Sequence, residues 1–276
     1  MLSITIVSTR AARLSVPPAV AGGTDRKATV STDSLRARVE TMVMDNIEKA
    51  PTLGQRITFY RAFLNIASTQ EARDVMKRML KGRDASVNER ATSRTGKDAR
   101  SLTVAFPPLK TKDKFDIVTR LLILGDPDAP KLLADLEHTE TSDEAKRYAY
   151  AAKAGIATAE NKQKFWNDFI NNKNISESWI ESAMGPFNSI RQSELTLPYL
   201  ERALAELPNL KRDRKIFFVN GWLGAFIGGQ KDEKALAIVN KFLADNPGLD
   251  KDLRLKILEN VDVIERAVKI RAKYMR

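Results

Sequence analysis

From residue 34 onward, apolar positions recur at steps of three and four, the spacing that lines one face of an α-helix. Leu35, Val39, Met42, Val43 and Ile47 make the first stripe, and Ser34 stands where a helix cap belongs. Pro51 and Gly54 punctuate the chain. A second helix is predicted over 56–67 from Ile57, Phe59, Tyr60, Phe63, Leu64 and Ile66. Ser68-Thr69-Gln70-Glu71 then spells a Ser-x-x-Glu capping box ahead of Val75, Met76, Met79 and Leu80, and Gly82 marks a stop.

The rhythm lapses over 83–109, which is polar, basic and poorly periodic and ends at Phe106-Pro107-Pro108. A long exposed loop is the reading, with 83–108 as an insertion. Helices resume at Lys112, where Phe115, Ile117, Val118, Leu121, Leu122 and Leu124 form a broad apolar face. Gly125-Asp126-Pro127-Asp128 reads as a turn and helix start, and Thr141-Ser142-Asp143-Glu144 as a second capping box. Further helices are predicted near 159–171, 176–183, 192–206, 210–227, 231–245, 249–258 and 261–275. Leu207-Pro208, Gly228-Gly229 and Asn246-Pro247-Gly248 separate several of them. No sustained alternation of strand type follows the first residues. The expected fold is therefore all-α: an irregular α-solenoid, a HEAT- or armadillo-like array of antiparallel helical hairpins. Residues 1–33 read as a disordered leader and 34–276 as a single helical domain.

Composition narrows the chemistry. The 276 residues contain no Cys and one His. That excludes a disulfide framework, a thiolate nucleophile, a Cys-ligated zinc and any metal motif needing two histidines within this chain. His138, in Leu136-Glu137-His138-Thr139-Glu140, reads as a solvated residue at a helix end, where the helix dipole favours a cation. The chain carries 46 Lys+Arg against 35 Asp+Glu. The excess sits in 1–112, with 20 basic and 10 acidic residues, whereas 113–276 holds 26 and 25. A nucleic-acid surface pairs clustered cations with aromatics for stacking, and 83–105 contains no aromatic. Nucleic acid is not the expected partner. No apolar run nears the ~20 residues of a membrane span, so no membrane association is expected. Absent cysteine fits reducing and oxidising compartments alike, and the cytoplasm is the expected one.

Three features invite contact roles. Trp179 and Phe187 are large anchors near the aromatic run Phe165-Trp166-Asn167-Asp168-Phe169. Aromatics at helical spacing usually fill a core, yet arrays of helical hairpins also present concave binding surfaces. Lys211-Arg212-Asp213-Arg214-Lys215 is a dense basic cluster ahead of the apolar run Ile216-Phe217-Phe218-Val219. Lys211, Arg212 and Arg214 there are candidate contacts for a carboxylate or other anion. Against this stands a solvated helix start balanced by Asp213. Arg266 to Arg276 carries five basic residues and no acid, as the dipole of a last helix favours.

Several segments carry a family resemblance. They are Trp179 to Asn188, Gln192-Ser193-Glu194-Leu195, Leu197-Pro198-Tyr199-Leu200 and Leu204 to Pro208. With them go Lys114 to Leu121, Gly125 to Ala129, Leu249 to Arg254, Leu258-Glu259-Asn260, Glu265-Arg266-Ala267 and Arg271-Ala272. Together they resemble the C-terminal helical domain of aminopeptidase N-type zinc aminopeptidases. The likeness covers 113–276, extends faintly over 35–81, and leaves out 1–33. Family members remove N-terminal residues from peptides with a zinc held by H-E-x-x-H and a distant Glu, and read the free amine through Gly-x-Met-Glu-Asn. None of these motifs occurs in this chain. The resemblance therefore implies no catalytic residue and no cofactor here, and zinc only in full-length relatives. What it implies is a lid that packs on a catalytic domain, encloses a cavity and contacts the far end of a peptide through basic side chains, for which Arg191 and the 211–215 cluster are the candidates. The alternative is a free-standing α-solenoid that binds a peptide or protein in its groove.

Overall fold

A computed structural model describes residues 32–81 and 109–274. The expected insertion at 83–108 lies outside the described residues. So does the expected leader, apart from Thr32 and Asp33, which already open a helix.

Every described element is helical. The chain runs through α1 (Thr32–Lys49), α2 (Leu53–Ile66), α3 (Gln70–Lys81), α4 (Thr111–Ile123), α5 (Ala129–Thr139), α6 (Asp143–Ala154) and α7 (Ala159–Asn171). It continues through α8 (Glu177–Phe187), a 3-10 turn at Ile190–Gln192, α9 (Ser193–Ala205), α10 (Leu207–Asp213), α11 (Ile216–Gly228), α12 (Glu233–Asp245) and α13 (Lys251–Tyr274). The all-α expectation holds for the described residues.

Neither expected capping box forms; a single side-chain cap one residue further on takes the place of each. Before α3 the cap is Thr69, whose Oγ1 accepts from Ala72 N at 3.2 Å, while Ser68 Oγ donates to Glu40 at 2.8 Å. Before α6 the cap is Ser142, which accepts from Ala145 N at 3.2 Å. Where two hydroxyl residues adjoin, the one nearer the helix caps it. A reciprocal box forms instead at Thr52 and Gln55, so α2 opens at Leu53 and takes in Gly54. Two expected boundaries also fail. The helix expected over 210–227 breaks after Asp213, because Leu207-Pro208 starts α10 rather than separating helices. Proline at a first helical turn has no partner to lose. The two expected over 249–258 and 261–275 are one helix, since buried Leu253, Ile257, Val261 and Ile264 continue a single stripe through Asn260.

Packing alternates along the chain. α4 lies against α6, α6 against α8, α8 against α11, and α11 against α13, while α9 touches α7 and α12 on the other side. The C-terminal ends of α4, α6, α8 and α11 meet at one edge, so these helices run parallel. Gln192 Nε2 there donates to Ile123 O at 3.0 Å and Gly155 O at 2.8 Å. Lys162 Nζ donates to Ala154 O at 2.9 Å and Phe187 O at 2.8 Å. Helix ends leave carbonyls without intrahelical partners, and these buried donors supply them.

The core has two clusters that share α6. Ala145, Ala149 and Ala152 face the N-terminal cluster with Phe63, Met76, Phe115 and Leu121; Ala151 and Ala154 face the C-terminal one with Trp166, Phe187, Trp222 and Phe226. Small side chains on both faces let neighbouring helices approach α6 closely. At Gly125 φ is +66°, and Gly125 N and Asp126 N close a Schellman turn on Leu122 O and Leu121 O. That turn aims α5 back along α4.

Candidate functional site

A groove of about 530 Å³ opens where the end of α5, α6, α7 and the start of α8 converge. Its floor follows from the i, i+4 spacing of α6, which aligns Ala145 and Ala149 beside the half-buried ring of Tyr150. The two alanines leave room, and Tyr150 fills part of it. That ring leans on buried Phe165, with centroids 4.9 Å apart, and on Trp179 at 5.5 Å. The planes are tilted by 48° and 50°, so the three rings form an angled wall rather than a stack. Tyr148, two residues away, points to the core and meets Phe115 at 6.1 Å.

The rim is charged and mostly self-paired. Lys153 bonds Glu137 at 2.6 Å, and Glu140 takes Lys114 Nζ at 2.5 Å and Thr111 Oγ1 at 2.8 Å. These bonds hold the Glu140 carboxyl below the usual carboxylate range. The Tyr150 hydroxyl is buried and faces the Asp168 carboxylate. Burial, then the neighbouring Asp168 carboxylate, raises its pKa, so it stays a neutral donor across the physiological range. An apolar aromatic wall and a mixed-charge rim suit an extended peptide with an apolar side chain.

The expected contact residues are dispersed. Trp179 lies in the groove, partly exposed. Phe187 is 0% exposed at the heart of the core, edge-on to Phe169 and Tyr199, and presents no surface to a partner. The basic cluster is an internal clasp. Lys211 pairs with Asp250 at 2.5 Å, and Asp250 in turn accepts from the first amides of α13. Arg212 grips its neighbour Asp213 with two bonds of 2.8 Å. Arg214 reaches Glu177 at 3.4 Å and lies 5.2 Å from the centre of the Phe218 ring. These contacts tie α10 to the starts of α13 and α8. Arg191 stands elsewhere, on the α2 end, where its Nη2 donates to Ile66 O at 3.1 Å. His138 is exposed in the last turn of α5. Among the described residues, no group of three His, Asp or Glu side chains is gathered to hold a metal ion.

Sequence reasoning missed Tyr150 and Asp168. The available signal was the pair Tyr148 and Tyr150, which on a helix cannot share a face.

The end helices leave apolar residues open among the described residues. On α1 these are Leu35, Val39 and Met42, spaced four and three apart; on α13 they are Leu255, Leu258, Val263 and Ile270. No described helix is long and apolar enough to cross a membrane.

Compared with known proteins, the chain matches no family model and no curated sequence.

Proposed function

We propose that this chain is a non-catalytic helical module, an irregular α-solenoid that docks on a catalytic domain and shapes peptide access to it. In this reading it stands to its partner as the lid of a zinc aminopeptidase stands to the enzyme. The observation that carries the reading is the uncovered stripe Leu35, Val39 and Met42 on α1. An array of helical hairpins that stands alone needs polar outer faces on its terminal helices. An apolar terminal face instead marks a surface that another unit covers. The sequence resemblance over 113–276 names the kind of partner.

The neighbouring coding sequence supplies the test. If it encodes H-E-x-x-H, the two pure proteins are expected to form a one-to-one complex by analytical ultracentrifugation, and adding this chain changes how peptide hydrolysis depends on peptide length. Met42→Glu is expected to weaken that complex by about tenfold or more, because it buries a charge in an apolar contact. Its thermal unfolding stays within about 0.5 kcal/mol of wild type, as Met42 is exposed in the free chain. Turnover of an aminoacyl-anilide by the pure chain, abolished by a chelator, overturns the reading.

A second reading, a free-standing peptide-binding module, is favoured by the groove walled by Tyr150, Phe165 and Trp179. It requires no catalytic partner and predicts peptide binding by the isolated chain.

A further inference from the structure

Four arginines and one carboxylate converge on the short link between α2 and α3. Arg191 Nη2 donates to Ile66 O at 3.1 Å. Arg120 sets Nε and Nη2 on Ala67 O at 3.0 and 2.7 Å. The Glu40 carboxylate takes Ser68 Oγ at 2.8 Å, Thr69 N at 3.3 Å and Thr69 Oγ1 at 2.5 Å. Arg73 follows Thr69 by one turn of α3, its amide bonded to Thr69 O. Arg36 precedes Glu40 by one turn of α1. Consecutive residues 66 to 69 therefore bring α1, the starts of α3 and the 3-10 turn, and the end of α4 to one spot.

The charges at this spot do not balance. Arg36 is paired with Asp33 at 3.0 Å. Among the described residues no carboxylate lies within ion-pair distance of Arg73, Arg120 or Arg191, and Glu40 is only 1% exposed and spent on the α3 cap. Arg73 Nε is buried with no hydrogen-bond partner. The partial negative charge at the end of α2 is offset by the partial positive charge at the start of α3. Three guanidinium groups against one carboxylate leave two positive charges uncompensated. The crowding registers on the groups themselves. Burial, then Arg36 and Arg73, pushes Arg191 below the ordinary arginine range. Burial, then Arg191, pushes Arg120 down to about 10.

We propose that Arg73 and Arg191, backed by Arg120 and Arg36, form a binding site for a tetrahedral dianion: inorganic phosphate or the terminal phosphate of a monoester. Two unmatched charges fit a dianion, whereas a carboxylate leaves one over. Guanidinium forks also match phosphate oxygens in pairs. Arg73 supplies a buried Nε donor that has no partner, and exposed Arg191 supplies the entrance. The bound anion removes the repulsion among the arginines, so binding stabilises the fold. This inference is independent of the groove and of the lid reading.

The test is thermal unfolding of the full chain at pH 7.5 in sodium phosphate, phenyl phosphate, sodium acetate and sodium chloride at matched ionic strength. Phosphate and phenyl phosphate are expected to raise Tm along saturable curves, and acetate is expected to track chloride. Tighter binding of phenyl phosphate assigns the site to an ester, and tighter binding of phosphate assigns it to the free ion; both support the site. Arg73→Gln and Arg191→Lys are each expected to weaken the apparent affinity by about tenfold or more. Arg73→Gln in chloride is expected to melt no lower than wild type, because it relieves repulsion and removes no bond. Should Arg73→Gln fail to fold, Arg191→Lys carries the same comparison by calorimetric titration. A shift that never saturates, that acetate reproduces, or that the folded variants retain in full overturns the proposal.

Discussion

Replacing Gly229 with alanine is expected to destabilise the fold by about 3 kcal/mol or more, the upper range for overpacking. A Cβ at this position lies 2.2 Å from Asn188 O and 2.8 Å from Ala225 O. Both contacts are backbone, so no rotamer change relieves them. Asn188 is the buried cap of α8 and Gly229 the cap of α11, so the added atom drives apart two helix ends in the C-terminal core. For a chain of this size the loss corresponds to roughly 6–12 °C in Tm. Gly228 is the matched control. A Cβ there meets nothing within 4 Å. Gly228→Ala is expected to stay within about 0.5 kcal/mol of wild type or gain slightly, as alanine restricts the unfolded chain. Urea unfolding of the two variants checks this. Equal midpoints contradict the close approach of α8 and α11.

The second large effect belongs to Lys162. Its side chain is 0% exposed, on α7, and its amine bonds the last carbonyls of α6 and α8. Burial pushes its pKa down to about 7. A neutral amine carries two N–H groups, and two carbonyls receive them. In the unfolded chain the amine titrates near its ordinary value of about 10.4. Below pH 7 the group is charged in both states, and folding must desolvate the charge. Between these values the unfolded chain holds the extra proton, so stability rises with pH. The stability of wild type relative to Lys162→Met is therefore expected to increase from pH 7 towards pH 10, by up to about 1.4 kcal/mol per unit. Taking the difference between the two proteins cancels the tyrosines that also titrate above pH 9. A flat difference contradicts a depressed lysine. Lys162→Ala at pH 9 is expected to cost about 3 kcal/mol or more, since it opens a cavity and strands two buried carbonyls.

Both effects lie where the sequence is least legible. The stripes of α3 and α4 can be read directly, because apolar steps of three and four mark one helix face, whereas of the five positions predicted on α1 only Val43 and Ile47 are buried. Phe115, Ile117, Val118, Leu121 and Leu122 all fall in the core as expected. Boundaries were lost where two local signals compete. Ser68 and Thr69 both suit a cap, and only the position of Glu40 on α1 decides that Ser68 turns away. Leu207-Pro208 fits a helix start as well as a linker, and the buried side chain of Leu207 settles it. Lys162 sits amid a polar run and gives no sequence sign of burial. Its role depends on α6 and α8 ending side by side.

The candidate site was legible only in part. Trp179 stands out as a large aromatic, but its neighbours in the groove come from three other helices. The cluster Lys211 to Lys215 drew attention through charge density, while its partners Asp250 and Glu177 lie 39 and 37 residues from Lys211 and Arg214. Long-range pairing of this kind converts an apparent anion site into a clasp. The converse holds for Arg36, Arg73, Arg120 and Arg191, which are scattered in sequence and gathered by the fold.

Peptide contact, which the lid reading shares with the free-standing module, is tested most directly by whether peptides enter the groove beside Trp179. Calorimetric titration of the full chain with extended peptides of apolar side chains measures this. The expected result is a saturable change in wild type that is lost in Trp179→Ala, with unfolding of that variant shifted by less than about 1 kcal/mol. Equal binding by both proteins, or none by wild type across the millimolar range, contradicts a chain that works by receiving peptides in this groove.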